Sequence, residues 1–189
     1  MPLQLTPSQT AGPYLKIGLL RELFGPELVA PDAPGAIRIK GVVLDGAGDP
    51  VPDAMVEIWQ ANSAGRYAHP ADTREDLPLD GSFAGFGRTG TEDEGRFEFV
   101  TVKPGPVPGP DGRPQAPHVN VSVFARGLLK HVVTRIYFPD EEAANAADPV
   151  LSSIADPGAR ASLVAQEDGG ALRFDIRLQG DRQTTFFVV

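Results

Sequence analysis

The chain of 189 residues contains no cysteine. This excludes a disulfide framework, thiolate metal sites and a cysteine nucleophile, and suits a reducing compartment. Its start, Met1-Pro-Leu-Gln-Leu-Thr-Pro-Ser, has no basic residues and no apolar core, so no secretory signal is expected. No apolar run approaches the roughly 20 residues of a membrane-spanning helix; no membrane partner is expected, and the cytoplasm is the expected location. Positive charge is in deficit, with 17 Lys and Arg against 25 Asp and Glu for a formal net charge of −8. That balance disfavours nucleic acid as a partner. Glycine-rich phosphate loops, His-Glu-x-x-His helices and nucleophile elbows are missing too.

What is abundant is turn chemistry. With 21 Gly and 19 Pro beside a 41% hydrophobic content, the chain can bury a real core between many short strands. Strands are expected over 37–44, 54–60, 97–102, from His118 onward, over 131–138 and over 172–179, with 184–189 as a closing apolar β segment. Short helices are expected over 140–145, with acids in the first turn, and over 158–166. The long stretch 61–88 reads as a loop packed by Phe83 and Phe86. The pattern predicts an all-β protein, an antiparallel β-sandwich over residues 37–189 carrying one or two short helices. Residues 1–36 are expected to form an extended N-terminal arm and connection that packs on a partner. In 4–14 there is no helical or strand period, and a frayed terminus competes with an arm laid over another surface. Tyr14, Leu15, Ile17, Leu19 and Leu20 point to anchoring.

The organising stretch is Arg113-Pro-Gln-Ala-Pro-His-Val-Asn-Val-Ser-Val-Phe-Ala-Arg-Gly127, which alternates from His118 onward. Its alternation places His118, Asn120 and Ser122 on one face and Val119, Val121 and Val123 on the other. His69 and His131 have no ligand-type neighbour at useful spacing and read as surface or capped residues. His118 stands apart because Asn120 shares its face and Tyr67 precedes it in a glycine-bounded loop; the plain alternative is a satisfied core histidine.

Several longer runs carry a resemblance. Val56-Glu-Ile-Trp-Gln-Ala-Asn-Ser-Ala-Gly-Arg-Tyr67, Phe86-Gly-Arg-Thr89, Gly95-Arg-Phe-Glu-Phe-Val-Thr-Val-Lys-Pro-Gly105, the His118 stretch and Thr6-Pro-Ser-Gln-Thr-Ala-Gly-Pro-Tyr14 together resemble the intradiol ring-cleaving dioxygenases over nearly the whole chain. The resemblance implies a site for Fe(III) held by two tyrosinates and two histidines, hard oxygen donors suiting a highly charged ion. Tyr67 matches the first tyrosine and His118 the first histidine. The second tyrosine falls on Val107, the second histidine on Asn120, and a supporting arginine on Gln115. With two of four donors lost, no metal is expected in this chain. Fe(III) is expected instead on an iron-bearing beta subunit of similar fold, within a higher-order α–β oligomer that takes a small aromatic substrate and O2. Tyr67 and His118 are expected to be hydrogen-bonded in what remains of the pocket.

By the same resemblance this chain would contribute no catalytic residue of its own but would line the partner's substrate cavity with Thr10, Gly12, Pro13, Tyr14 and Arg126. Arg126 would offer its guanidinium fork to a ring carboxylate; a surface-paired strand-end arginine is the competing reading. Two rivals stand beside this function. One is a free-standing transthyretin-like β-sandwich binding module, a pattern also met by Gly41-Val-Val-Leu-Asp-Gly46 with Ala54-Met-Val-Glu-Ile58. The other is a self-sufficient enzyme with an altered metal.

Overall fold

The computed structural model describes residues 5–20, 24–91, 93–109 and 111–188. The ends of the predicted arm and of the closing segment, and part of the 21–36 connection, lie outside them. In chain order the elements are α1 (Pro13–Leu19), β1 (Ala36–Leu44), β2 (Met55–Trp59), β3 (Phe86–Gly90), β4 (Arg96–Val102), β5 (Val107–Pro108), β6 (Pro114–Gln115), β7 (His118–Phe124) and β8 (Val132–Tyr137). They continue with α2 (Glu142–Ala147), α3 (Pro149–Ser153), α4 (Pro157–Ala161), β9 (Gln166–Asp168), β10 (Ala171–Arg173) and β11 (Ile176–Arg177).

β1 is the hub of one sheet. It runs antiparallel to β4, from Ala36 opposite Val102 to Val42 opposite Arg96. Along its other edge it pairs in parallel with β10 at Ile39–Leu172 and then with β11 at Val43–Ile176, so the sandwich is mixed rather than antiparallel throughout. The second sheet, in the order β3-β2-β7-β8, is antiparallel throughout. Alternation gives each sheet an apolar face, and the two faces meet in one core: Ile39 and Val43 of β1, Phe97 and Phe99 of β4, Val56 and Ile58 of β2, Val119, Val121 and Val123 of β7, and Ile136 of β8. Fully burying a side chain of this size stabilises by about 1.5–3 kcal/mol. Gln60, wholly buried at the end of β2, donates to Val102 O at 2.8 Å and accepts from Thr101 Oγ1 at 2.8 Å. It thus links the sheets with its polar atoms satisfied.

Several expectations are corrected. β3 begins inside the stretch read as loop and runs two residues past its end. The 140–145 helix runs instead over 142–147, without a side-chain cap at Glu141. A helix at 149–153 had no forecast; Asp148 caps it by accepting from Val150 N and Leu151 N. The 158–166 helix stops at Ala161, because Gln166 joins β9. The strand over 172–179 breaks at Phe174 and Asp175 into β10 and β11, and the described part of 184–188 makes only a bridge from Phe187 to Val133. Residues 13–19 are helical, started by Pro at its first position. The anchoring of that segment comes from polar contacts: Lys16 Nζ donates to Thr91 O at 2.9 Å and Arg88 Nη1 to Leu19 O at 3.1 Å. Tyr14 and Ile17, expected to anchor it, are 86% and 72% exposed.

Candidate functional site

The outward face of the β2-β7-β8 sheet carries the polar chemistry. Register places Trp59, Asn120 and Arg135 in one cross-strand row and His118 opposite Tyr137 in the next. The 61–85 loop folds over this row. Asn62 Oδ1 accepts from Ala64 N and Arg66 N while its amide donates to Pro78 O at 2.9 Å, an Asx turn that fixes the bend. Gly65 sits at φ +82°, and a Cβ there would fall 2.1 Å from Pro106 O; only glycine lets the loop press against the segment that carries Val107. Tyr67 is thereby laid on Trp59, their rings stacked at 5.7 Å, and His69 meets Trp59 edge-on at 6.3 Å. Asp72 holds the loop from below, accepting from Tyr67 N at 2.8 Å and from Arg74 Nε at 2.8 Å. The Arg74 contact keeps its carboxyl well below the ordinary range.

Of the five expected metal-site positions, Tyr67 and Val107 share a cavity, Val107 faces Gln115, and His118 and Asn120 lie on one face of β7. Tyr67 and Val107 line one open cavity of about 590 Å³ with Trp59, His69 and Arg74. Asn120, whose amide donates to Trp59 O at 3.3 Å, lies next to the Tyr67 phenol. Val107 is buried and faces Gln115 across the β5–β6 ribbon. His118 is buried, with Nδ1 2.8 Å from Ala116 O. A carbonyl only accepts, so Nδ1 carries the proton and Nε2 keeps its lone pair. His118 therefore finds its partner in a backbone carbonyl.

The donor set does not match a ferric site here. Burial raises the Tyr67 phenol above its ordinary value, favouring the neutral form over the phenolate that Fe(III) takes. Burial, helped by the Arg135 charge, pushes the His118 imidazole down to about 4. Val107 offers no donor and Asn120 only a neutral amide that is already engaged. Mononuclear sites keep at least three protein ligands, and this set has two. The residues do not fit the family's iron.

Two further groups had no place in the sequence reading. Arg135 sends Nη1 to Gln115 Oε1 at 2.7 Å and to Tyr137 Oη at 3.2 Å. Asp148, wholly buried, accepts from Ala116 N at 2.8 Å and lies 3.3 Å from Tyr137 Oη. Only the register Asn120–Arg135 could have exposed Arg135, and a strand pattern does not give register.

The predicted substrate-side residues gather elsewhere. Six steps along β7 at about 3.3 Å each separate His118 from Phe124, beside which Thr10, Gly12 and Leu15 line a groove of about 400 Å³. Thr10 Oγ1 accepts from Gly127 N at 2.7 Å, pinning the arm to the residue after Arg126. Arg126 itself is 73% exposed and pairs with Asp53 Oδ2 at 3.0 Å. His131, read as a capped or surface residue, stacks on Phe124 at 4.9 Å.

Comparison with known proteins supplies the family. Residues 28–180 match the family described as Dioxygenase. The chain is 46% identical to the protocatechuate 3,4-dioxygenase alpha chain of Pseudomonas putida, across 99% of each chain. It is 41% identical to the beta chain of Burkholderia cepacia over 76% of this chain and 64% of that one. Among solved structures, the dioxygenase domain of a carbohydrate-binding fusion from Streptomyces sp. SirexAA-E aligns at TM-score 0.57 and 26% identity, over 94% of this chain and 99% of that one. Catechol 1,2-dioxygenase from Pseudomonas arvilla C-1 shares the fold at TM-score 0.55 and 23% identity, over 92% of this chain and 60% of that one. With motifs, sandwich and near-complete alignment in agreement, the chain belongs to the intradiol ring-cleaving dioxygenase family, alongside its protocatechuate 3,4-dioxygenase alpha chains.

Proposed function

We propose that this chain is the non-iron alpha subunit of a protocatechuate 3,4-dioxygenase, working in the cytoplasm. The reaction uses O2 to break the bond between the two hydroxyl-bearing carbons of protocatechuate, one oxygen atom going to each, and opens the ring to 3-carboxy-cis,cis-muconate. The observation that carries the reading is a donor set reduced to Tyr67 and His118, which leaves the iron to a beta partner of similar fold. Residues 1–36 then serve as the arm and connection that reach the partner, and residues 37–189 as the sandwich that supports them.

The arm has the chemistry for that role. Leu5, Tyr14 and Ile17 are 97%, 86% and 72% exposed, an apolar surface suited to burial against another chain. Gly12 and Pro13 permit a close, rigid backbone approach, and Tyr14 supplies an aromatic wall. Thr10, tied to Gly127, holds the arm next to Arg126. Arg126 exchanges its exposed pairing with Asp53 for the ring carboxylate of protocatechuate. The share of this chain is to orient the ring and exclude water from a pocket on its partner, where positioning governs rate.

The test is purification of the chain alone and with a co-expressed beta chain, followed by iron analysis, native mass and oxygen uptake with protocatechuate. The expected outcome is an iron-free, inactive chain alone and an iron-bearing, active α–β oligomer. Stoichiometric iron and turnover in the lone chain would overturn the proposal in favour of a self-sufficient enzyme. Failure to assemble with the beta chain would favour a separate binding module.

A further inference from the structure

We propose that Asp53 is a built-in stand-in for the substrate carboxylate: it occupies the Arg126 guanidinium, and protocatechuate binds by displacing it. The inference rests on reading Arg126 as the partner of the ring carboxylate in the α–β enzyme. Met55 of β2 faces Phe124 of β7. Carried two residues further along each chain, the same register brings Asp53 opposite Arg126, both on the outward face of the sheet. There Asp53 Oδ2 meets Arg126 Nε at 3.0 Å. The backbone beside the arginine is fixed twice. Leu128 N donates to Ala125 O at 3.2 Å across a turn with Gly127 at φ +90°, and Thr10 Oγ1 accepts from Gly127 N at 2.7 Å. The aspartate is fixed through Ala54, whose N donates to Thr91 Oγ1 at 2.9 Å and whose O accepts from Thr91 N at 2.8 Å.

The pairing is one that a ligand can displace. Asp53 Oδ1 is buried yet has no hydrogen-bond partner among the described residues, so that oxygen carries a desolvation cost without a bond to offset it. The Arg126 side chain is 73% exposed, and ion pairs so placed contribute little. A ring carboxylate arriving from solvent offers both oxygens to the guanidinium fork, the stronger geometry. A ring without a carboxylate has nothing to exchange for Asp53 and leaves the pair intact. Asp53 thereby raises the KM for the carboxylated ring and does not touch the binding of an uncharged one.

The experiment uses the assembled α–β enzyme carrying Asp53→Asn, with native mass reporting assembly. KM and kcat are measured with protocatechuate, and catechol, the same ring without the carboxylate, is measured as a competitor of that turnover. The expected result is a KM about two- to fivefold lower, the span set by releasing an exposed ion pair, with the inhibition constant of catechol unmoved. In an Arg126→Ala background the same substitution should leave KM where Arg126→Ala alone puts it. A KM that rises in Asp53→Asn overturns the proposal by making Asp53 a brace that orients Arg126; a constant KM overturns it by making Asp53 a bystander. A fall that persists without Arg126 overturns it as well. Should Asp53→Asn disturb assembly, Asp53→Ser is read in the same way. If Arg126→Ala alone leaves KM unchanged, it is the substrate-binding reading of Arg126 that fails, so the two failures are distinguishable.

Discussion

Tyr67 shares a cavity with Val107, and His118 a strand face with Asn120, because short motifs fix their neighbourhoods: an Asx turn and Gly65 aim the tyrosine, and strand alternation aims His118 and Asn120. His118 and Asn120 were legible as neighbours on one strand face, whereas Val107 and Gln115 were singled out only through the family resemblance. Arg135, Tyr137 and Asp148 were not legible, because their roles depend on which residue of β7 faces which of β8 and on where α3 begins. Arg126 was legible as a strand-end cation, but its present partner, Asp53, lies 73 positions earlier and no pattern links them. In the α–β enzyme, Arg126→Ala should weaken protocatechuate binding by about 1–3 kcal/mol, as for a lost charge-assisted hydrogen bond, while leaving assembly intact. Steady-state kinetics beside native mass measures both; an unchanged KM would remove Arg126 from the substrate.

Among the elements, the strands of the second sheet follow their alternation, with one exception. β3 was hidden by Gly85, Gly87 and Gly90, which look like loop residues. They are glycines because other segments lie on them: a Cβ at Gly87 would meet Leu28 Cδ1 at 2.4 Å, and one at Gly90 would meet Leu20 and Lys16 at 2.7 Å. A sequence shows the glycine but not the chain that covers it. The loop over 61–85 rests on the same kind of contact. Gly65→Ala places a methyl into Pro106 O in a backbone region that L residues rarely adopt, and should cost about 1–3 kcal/mol in denaturant unfolding while displacing Tyr67 from Trp59, seen as altered tryptophan fluorescence. A midpoint equal to that of the parent would mean that the loop accommodates the change. Deleting residues 1–13 removes no buried side chain among those described, so the truncated complex should keep its unfolding midpoint and lose most of its turnover. Full activity would detach the arm from catalysis.

At the scale of the whole molecule, acid sensitivity is built into the face that carries His118. The folded chain holds this imidazole neutral, with its pKa down at about 4 against an ordinary 6.5, while the unfolded chain protonates it normally. Between those values the unfolded state binds more protons, so stability declines as pH falls from about 6.5 to 4, by up to about 3 kcal/mol. Below that, Asp72, whose carboxyl Arg74 depresses, adds a loss of the same sign. Urea midpoints at pH 7, 5.5 and 4.5 measure the slope, and His118→Gln should flatten it between 6.5 and 4; an unaltered slope in that variant would assign the effect to other groups. The sandwich class was readable from turn spacing, but the parallel arrangement of β1 was not, since it joins residues 39–44 to residues 172–177. That arrangement also dictates an order of events in synthesis. β1 emerges early yet waits for about 130 further residues before its second edge is covered, and pairings so distant form slowly. Until the final strands arrive, an open hydrogen-bonding edge is offered to any passing polypeptide. Nascent chains are therefore most vulnerable to self-association late in translation, and a ribosome stall before residue 171 would leave β1 bare on that side.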